Sequence, residues 1–298
     1  MTTDGTDRIP AEALEESVLV VGGDAVGRSA ADRIADGDAV ATAATESPSA
    51  DADVDVNANV DADADVVVLA VDAGRSGTEL RFPSLPEAAV RVAVVTVPDR
   101  PTSNERAVLD ALASRVDAVV LASGDGGDLA AAVETLVSIV RDTGLVNVDL
   151  ADVETVFRPV DLAAIGVGRG PIEEPTAATR EAVASLPVGV ETDAAGGALV
   201  DLVGPPRMSV ADVDGAVSAV RDRVGPDAHV IWGGSVDPSI DSGLAVRLVL
   251  AGVESVRVAP GDDCPRCGTP LSSYTLEDRT MLSCEACGFA DVSVRLRE

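Results

Sequence analysis

Short apolar runs recur along the chain at the length of β-strands, and polar, helix-length stretches separate them. The first is Val18-Leu19-Val20-Val21, followed by Gly22-Gly23-Asp24-Ala25-Val26-Gly27 and a helical pattern to about Ile34. Val66–Val71, Val90–Val97 and Val116–Ala122 repeat the signal, and Ala39–Thr45 reads as a weaker strand. Runs that are apolar at every position, without alternation, belong to strands covered on both faces. Helical patterns over 103–114 and 128–142 alternate with them. Strand, glycine-rich turn and helix in this order open a nucleotide-type α/β unit built on a parallel sheet, expected over 17–143. Residues 1–16 are polar and read as a frayed tail, and 46–65 form an acidic low-complexity insert that reads as a loop.

After Gly144 the pattern changes. Leu162–Val167, Gly197–Val203, His229–Trp232 and Ala245–Leu250 are strand-like, and 174–185 and 209–224 are helical, with Ser209 placed to cap the second helix. This predicts a second, α+β unit of mixed strands over 144–258. A third small unit occupies 259–298.

Composition changes the picture in one respect. The 298 residues carry 51 Asp and Glu against 22 Arg, with no Lys, for a net charge of -29. Nucleic acid is excluded as a partner, because phosphate affinity needs clustered basic residues. A Walker-type P-loop is excluded for lack of its lysine. There is no apolar run long enough to span a bilayer and no basic, apolar leader, so a cytoplasmic protein without membrane insertion is expected. Acidity of this degree in a chain with valine-rich strands is the composition of a folded protein from a salt-saturated cytoplasm, where screening shortens self-repulsion to about 3 Å. Acidic clusters therefore carry little information about sites.

The four cysteines fall in the last 35 residues as Cys264-Pro-Arg-Cys267-Gly and Cys284-Glu-Ala-Cys287-Gly. Paired C-x-x-C knuckles at this spacing predict a tetrahedral four-thiolate Zn2+ site of structural type, since four protein ligands leave no open position.

Gly144-Leu-Val-Asn147-Val-Asp149-Leu-Ala-Asp152 resembles the synergy loop of the tubulin/FtsZ family, whose pattern is Asn-x-Asp-x-x-Asp after a long central helix. Leu162-Ala-Ala-Ile-Gly-Val-Gly168-Arg-Gly170, Gly196-Gly-Ala-Leu-Val-Asp-Leu-Val-Gly204 and Ala228-His-Val-Ile-Trp-Gly-Gly-Ser-Val-Asp237 continue in that family's order. The chain thus resembles a divergent, haloarchaeal-type FtsZ-like protein with an added zinc ribbon. The resemblance implies a Rossmann-type parallel sheet domain, a central helix and an α+β C-terminal domain. It also implies GTP or GDP with Mg2+ at loops corresponding to Gly22, Gly23, Gly74, Ser76, Gly77 and Thr78, and catalytic roles for Asn147, Asp149 and Asp152 toward a neighbouring subunit's nucleotide.

The nucleotide loops depart from the family pattern. Its Gly-Gly-Gly-Thr-Gly-Thr-Gly loop aligns with Asp72-Ala-Gly74-Arg-Ser76-Gly77-Thr78-Glu79, where carboxylates flank the place of the phosphates, and Ala44-Thr45-Glu46 replaces an Asn-Thr-Asp loop. Three functions follow as expectations: a partner or regulator of filaments of a homologue with intact loops, a GTPase that polymerises with an altered pocket, and a non-polymerising adaptor. His229 and Trp232 read as packing or interface residues.

Overall fold

The computed structural model describes residues 17–35, 41–43, 64–74, 82–98, 103–124, 129–141, 144–158, 160–255, 264, 267, 269–276, 279–288 and 290–294. Ser76, Gly77, Thr78, the 44–46 loop, the 1–16 tail and nearly all of the acidic insert lie outside them.

One nine-stranded sheet runs through the molecule. Five strands come from the first half: β1 (Val18–Gly22), β2 (Ala41–Ala43), β3 (Val66–Asp72), β4 (Val90–Val97) and β5 (Ala118–Ser123). They stand in the order β2-β1-β3-β4-β5, all parallel. β6 (Leu162–Pro171) continues the sheet in parallel with β5, through only three residue pairs, Val119 to Leu121 against Leu162 to Ala164. β10 (Gly243–Ala251) pairs antiparallel with β6 over nine residues. β8 (Gly197–Gly204) pairs antiparallel with β10, and β9 (His229–Val236) closes the order in parallel with β8. The change of character at 144 is thus not a change of sheet: β6, β8 and β9 keep the direction of the first five strands, and β10 alone runs against them. A two-stranded ladder, β7 (Val190–Glu191) with β11 (Glu254–Ser255), stands apart from it.

Valine and alanine at every position of the parallel strands feed two cores in alternation. Leu69, Val95 and Leu121 face one side, under α2 (Ser103–Ala113), α5 (Pro175–Ala184) and α6 (Val210–Arg221). Val68, Val94 and Val120 face the other, under α1 (Ala25–Ala35), α3 (Leu129–Arg141) and α4 (Leu150–Phe157). The period of two along each strand sends successive side chains into opposite layers, which is why these segments are apolar without interruption. With so few aromatics, Phe157 is the largest fully buried side chain among the described residues.

β6 is longer than its apolar pattern, extending through Gly166, Gly168 and Gly170. A Cβ at Gly166 or Gly168 would run into the backbone of α5 at Ala182 or Ala178. Glycine at alternate positions lets the helix lie directly on the strand.

The cysteine unit is a three-stranded antiparallel sheet of β12 (Ser272–Leu276), β13 (Arg279–Ser283) and β14 (Ala290–Val294).

Candidate functional site

Three places gather chemically competent residues. The first is the crevice at the C-terminal ends of β1 and β3. β1 lies between β2 and β3, so the chain turns to opposite sides of it, the switch point at which open α/β sheets bind ligands. Gly22, Gly23 and Gly74 do lie there. The first two are spent on packing: Gly23 N donates to Ala70 O (2.8 Å), and a Cβ at Gly22 would strike the backbone of Arg28. Gly27 lies against the carbonyl of Ala70 with no room for a Cβ. Asp24, which precedes α1, reaches across the crevice. Its Oδ1 accepts from Gly27 N (2.6 Å) and its Oδ2 from Asp72 N (2.9 Å). Sequence reasoning passed over Asp24, although an Asp immediately before a helical pattern is a cap signal.

The second place is the segment 144–152. It is held against the edge of β9 by Leu145 N and Val146 N to Gly234 O (2.8 and 3.2 Å) and by Gly234 N to Val146 O (2.9 Å). The contact requires glycine, because a Cβ at Gly144 would meet the Gly234 carbonyl. Asn147 Oδ1 accepts from Gly144 N (2.6 Å), which closes the turn. Asp149 and Asp152 form a reciprocal capping box at the start of α4: Asp152 N donates to Asp149 Oδ1 (2.9 Å), and Asp149 N to Asp152 Oδ2 (3.1 Å). The structure therefore brings the three expected residues together on one turn. The second oxygen of each carboxylate lies outside the capping box, and Asp149 is exposed.

Beside this turn, Leu145, Val146, Met208, Val210, Val213 and Trp232 line a groove of about 320 Å³. Leu145 and Val210 are 75% and 85% exposed, the two most exposed large apolar side chains among the described residues. Trp232 is partly buried here, and His229, first residue of β9, is exposed. At the rim, Ser209 caps α6 in a second box with Asp212. Hydrogen bonds from the Ser209 hydroxyl, and then from its backbone N–H, hold the Asp212 carboxyl below its ordinary range. On the β8–β10 pair, buried Asp201 meets Arg247 (Oδ2 to Nη1, 3.2 Å), an ion pair that the sequence hid among dozens of acids.

The third place is the cysteine cluster. Cys264 and Cys284 are buried, and all four Sγ atoms lie within 4.8 Å of one another. Cys264 Sγ is 3.6 Å from Cys287 Sγ, and Cys267 Sγ 3.4 Å from Cys284 Sγ. The edge of a tetrahedron with Zn–S of about 2.3 Å is about 3.8 Å, so the four sulfurs could hold a metal ion. Gly288, at φ 70°, ends the second knuckle, with its N–H on Cys284 O (2.9 Å). The Cys267 thiol is lowered to about 6, first by the Thr269 hydroxyl, then by the Thr269 backbone and by Cys284, which favours the thiolate that a metal requires.

The class of fold is that of the tubulin/FtsZ proteins. The chain superposes on the FtsZ dimer, empty, of M. jannaschii with a TM-score of 0.66 at 21% identity, covering 83% of this chain and 94% of that one. It superposes on GDP-bound CetZ1 of Haloferax volcanii with a TM-score of 0.57 at 14% identity, covering 80% and 94%. In sequence, residues 161–254 match the FtsZ family, C-terminal domain. Cell division protein FtsZ 1 of Halobacterium salinarum is 32% identical over 146 residues, and FtsZ 1 of Methanocaldococcus jannaschii 36% over 125. These alignments cover 49% and 42% of this chain, and 37% and 34% of those relatives, so the match spans about a third of the length of the curated relatives. Residues 161–254 are thus similar to the FtsZ family's C-terminal domain, and the chain as a whole has an FtsZ-like fold.

Proposed function

We propose that this chain is a partner or regulator of filaments built by an FtsZ-like homologue with an intact nucleotide site, joining one end of those filaments through the surface around 144–152. The contrast between its two faces carries the reading. The 144–152 turn is braced on β9 with carboxylate oxygens of Asp149 and Asp152 left outside the capping box, beside an apolar groove that a subunit interface would bury. The strand-end crevice, by contrast, has amides already taken by Asp24 and the Asp72 carboxyl group beside them. Solved relatives include an FtsZ dimer and a protofilament of CetZ2 with GTPγS, which supports self-like assembly as the mode of contact. GTP or GDP and Mg2+ then belong to the neighbouring subunit's pocket. There Asp149 and Asp152 would orient water and help hold the cation, with Asn147 holding the turn. The cysteine unit carries one structural Zn2+ on Cys264, Cys267, Cys284 and Cys287. The setting is a cytoplasm of high salt and the process cell division or a related cytoskeletal function.

The test is to add substoichiometric amounts of the protein to an assembling homologue from the same cells and follow filament length and GTP turnover. Filaments are expected to shorten. Asp152→Asn preserves an acceptor for the Asp149 N–H while removing the charge, and should lower turnover at the mixed contact about tenfold or more. Binding should change little, since most of the interface lies elsewhere. Unchanged length and turnover with the wild type would overturn the proposal. The capping box alone would then account for Asp149 and Asp152, and a non-polymerising adaptor that uses the groove would take its place.

A further inference from the structure

We infer that Asp24 is the resident anion of the strand-end crevice: its carboxylate fills the place that a nucleotide phosphate would take, so the chain closes its own site. The inference rests on the reading above, in which the chain turns over no nucleotide itself, and names the residue responsible.

A phosphate at a switch point is held by backbone N–H groups converging from the first helix and from neighbouring strand ends, with helix dipoles favouring the negative charge. Here the convergence exists and is occupied. Gly27 N, at the start of α1, and Asp72 N, at the end of β3, both donate to one side chain, at 2.6 and 2.9 Å. The first bond alone would be an ordinary helix cap. The second is not: it ties the cap residue to a strand 48 residues further along the chain and takes up a donor that capping does not need. Asp24 thus does with two oxygens what a phosphate group would do with two of its own.

The amide next to the cap offers no substitute donor. Gly23 N is bound to Ala70 O. The crevice cannot widen by withdrawing α1 without losing the close packing of Gly27 on Ala70 and of Gly22 on Arg28. A second carboxyl group, that of Asp72, stands at the same strand end, and like charges repel an incoming phosphate unless a cation intervenes. Thr96, the register partner of Asp72 on β4, has a buried hydroxyl with no hydrogen-bond partner among the described residues.

Binding of GTP with Mg2+ to the whole protein in multimolar KCl, measured by equilibrium dialysis, tests this. The wild type should retain none at millimolar GTP. Asp24→Gly frees both amides and removes the charge, and should gain about tenfold or more in affinity. Asp24→Asn removes the charge but keeps one acceptor, and should gain less. Ser209→Ala, which removes the cap of a helix far along the chain, should gain nothing, so loss of a cap as such is not the cause. If the glycine variant does not fold, the asparagine variant decides. On the wild type itself, the amide resonances of Gly27 and Asp72 should not move when GTP is added, and a shift in them overturns the inference. Folded variants that bind no better than the wild type overturn it too, while leaving the filament-partner reading standing. Micromolar binding by the wild type sinks both.

Discussion

A methyl group on Gly27 would do two opposing things. Alanine is favoured over glycine within a helix by about 1 kcal/mol. The same methyl would be driven into the carbonyl of Ala70, a backbone atom of a central strand that has no room to yield. Overpacking of this kind costs about 1–3 kcal/mol, and more where only backbone can move. Sterics therefore win, and Gly27→Ala should lower the urea midpoint by the equivalent of about 1–2 kcal/mol. An unchanged or raised midpoint would mean that α1 and β3 are not in contact there. The same residue shows where the sequence is ambiguous. Gly22-Gly23 and Gly27 read as a phosphate loop because both a phosphate and a close-packed strand require backbone without side chains. The pattern cannot separate the two. Asp24 adds what the pattern lacks, a hydrogen bond from Asp72 N, a partner no local spacing reveals. Asp149 and Asp152 were legible, since three-residue spacing at a helix start serves a capping box and a shared ligand alike.

At the scale of elements, strands buried on both faces announced themselves by continuous valine and alanine, and their expected bounds hold within a few residues. β6 and β9 run further than their apolar patterns because their outer halves are glycine-rich, and glycine there serves close approach to α5 and to the 144–148 segment. The Asp201–Arg247 pair lies across β8 and β10 on side chains mostly withdrawn from water. Removing one partner leaves a buried charge, so Asp201→Ala should cost about 3 kcal/mol or more, whereas Asp201→Leu with Arg247→Met should recover most of it. Chemical denaturation of the three variants checks this, and an additive double mutant would show the charges to be independent. In the cysteine unit, three short strands bury only a small core around Leu271 and Leu282. A unit of that size would fold on a metal ion held by its four thiolates. Chelation, or Cys284→Ser, should release one Zn2+ per chain and open 264–294 to protease while the nine-stranded sheet keeps its melting temperature. Metal analysis that finds no zinc would remove the four-thiolate site.

The whole molecule carries a net charge of -29 on a body of 30.1 kDa. Self-repulsion on that scale opposes the compact state, and it reaches about 10 Å in 0.1 M salt against about 3 Å in 1 M. The melting temperature should therefore rise steadily with KCl through the molar range. A flat profile would mean that the charges are already neutralised in pairs. Among the described residues, no helix is long and apolar enough to cross a membrane. That the sheet is continuous was not legible, because the joint between its halves is a single short pairing, too few residues to leave a pattern.

That joint sets how the molecule would bear load. Nine residue pairs hold β6 to β10, but only three hold it to β5. A pull applied between the two halves falls on those three pairs and on the two side-chain layers that cross the joint. Under tension, the backbone pairing would yield at that joint before the nine-pair ladder of β6 and β10. A subunit placed at a filament end would then serve as a mechanical fuse as well as a stop.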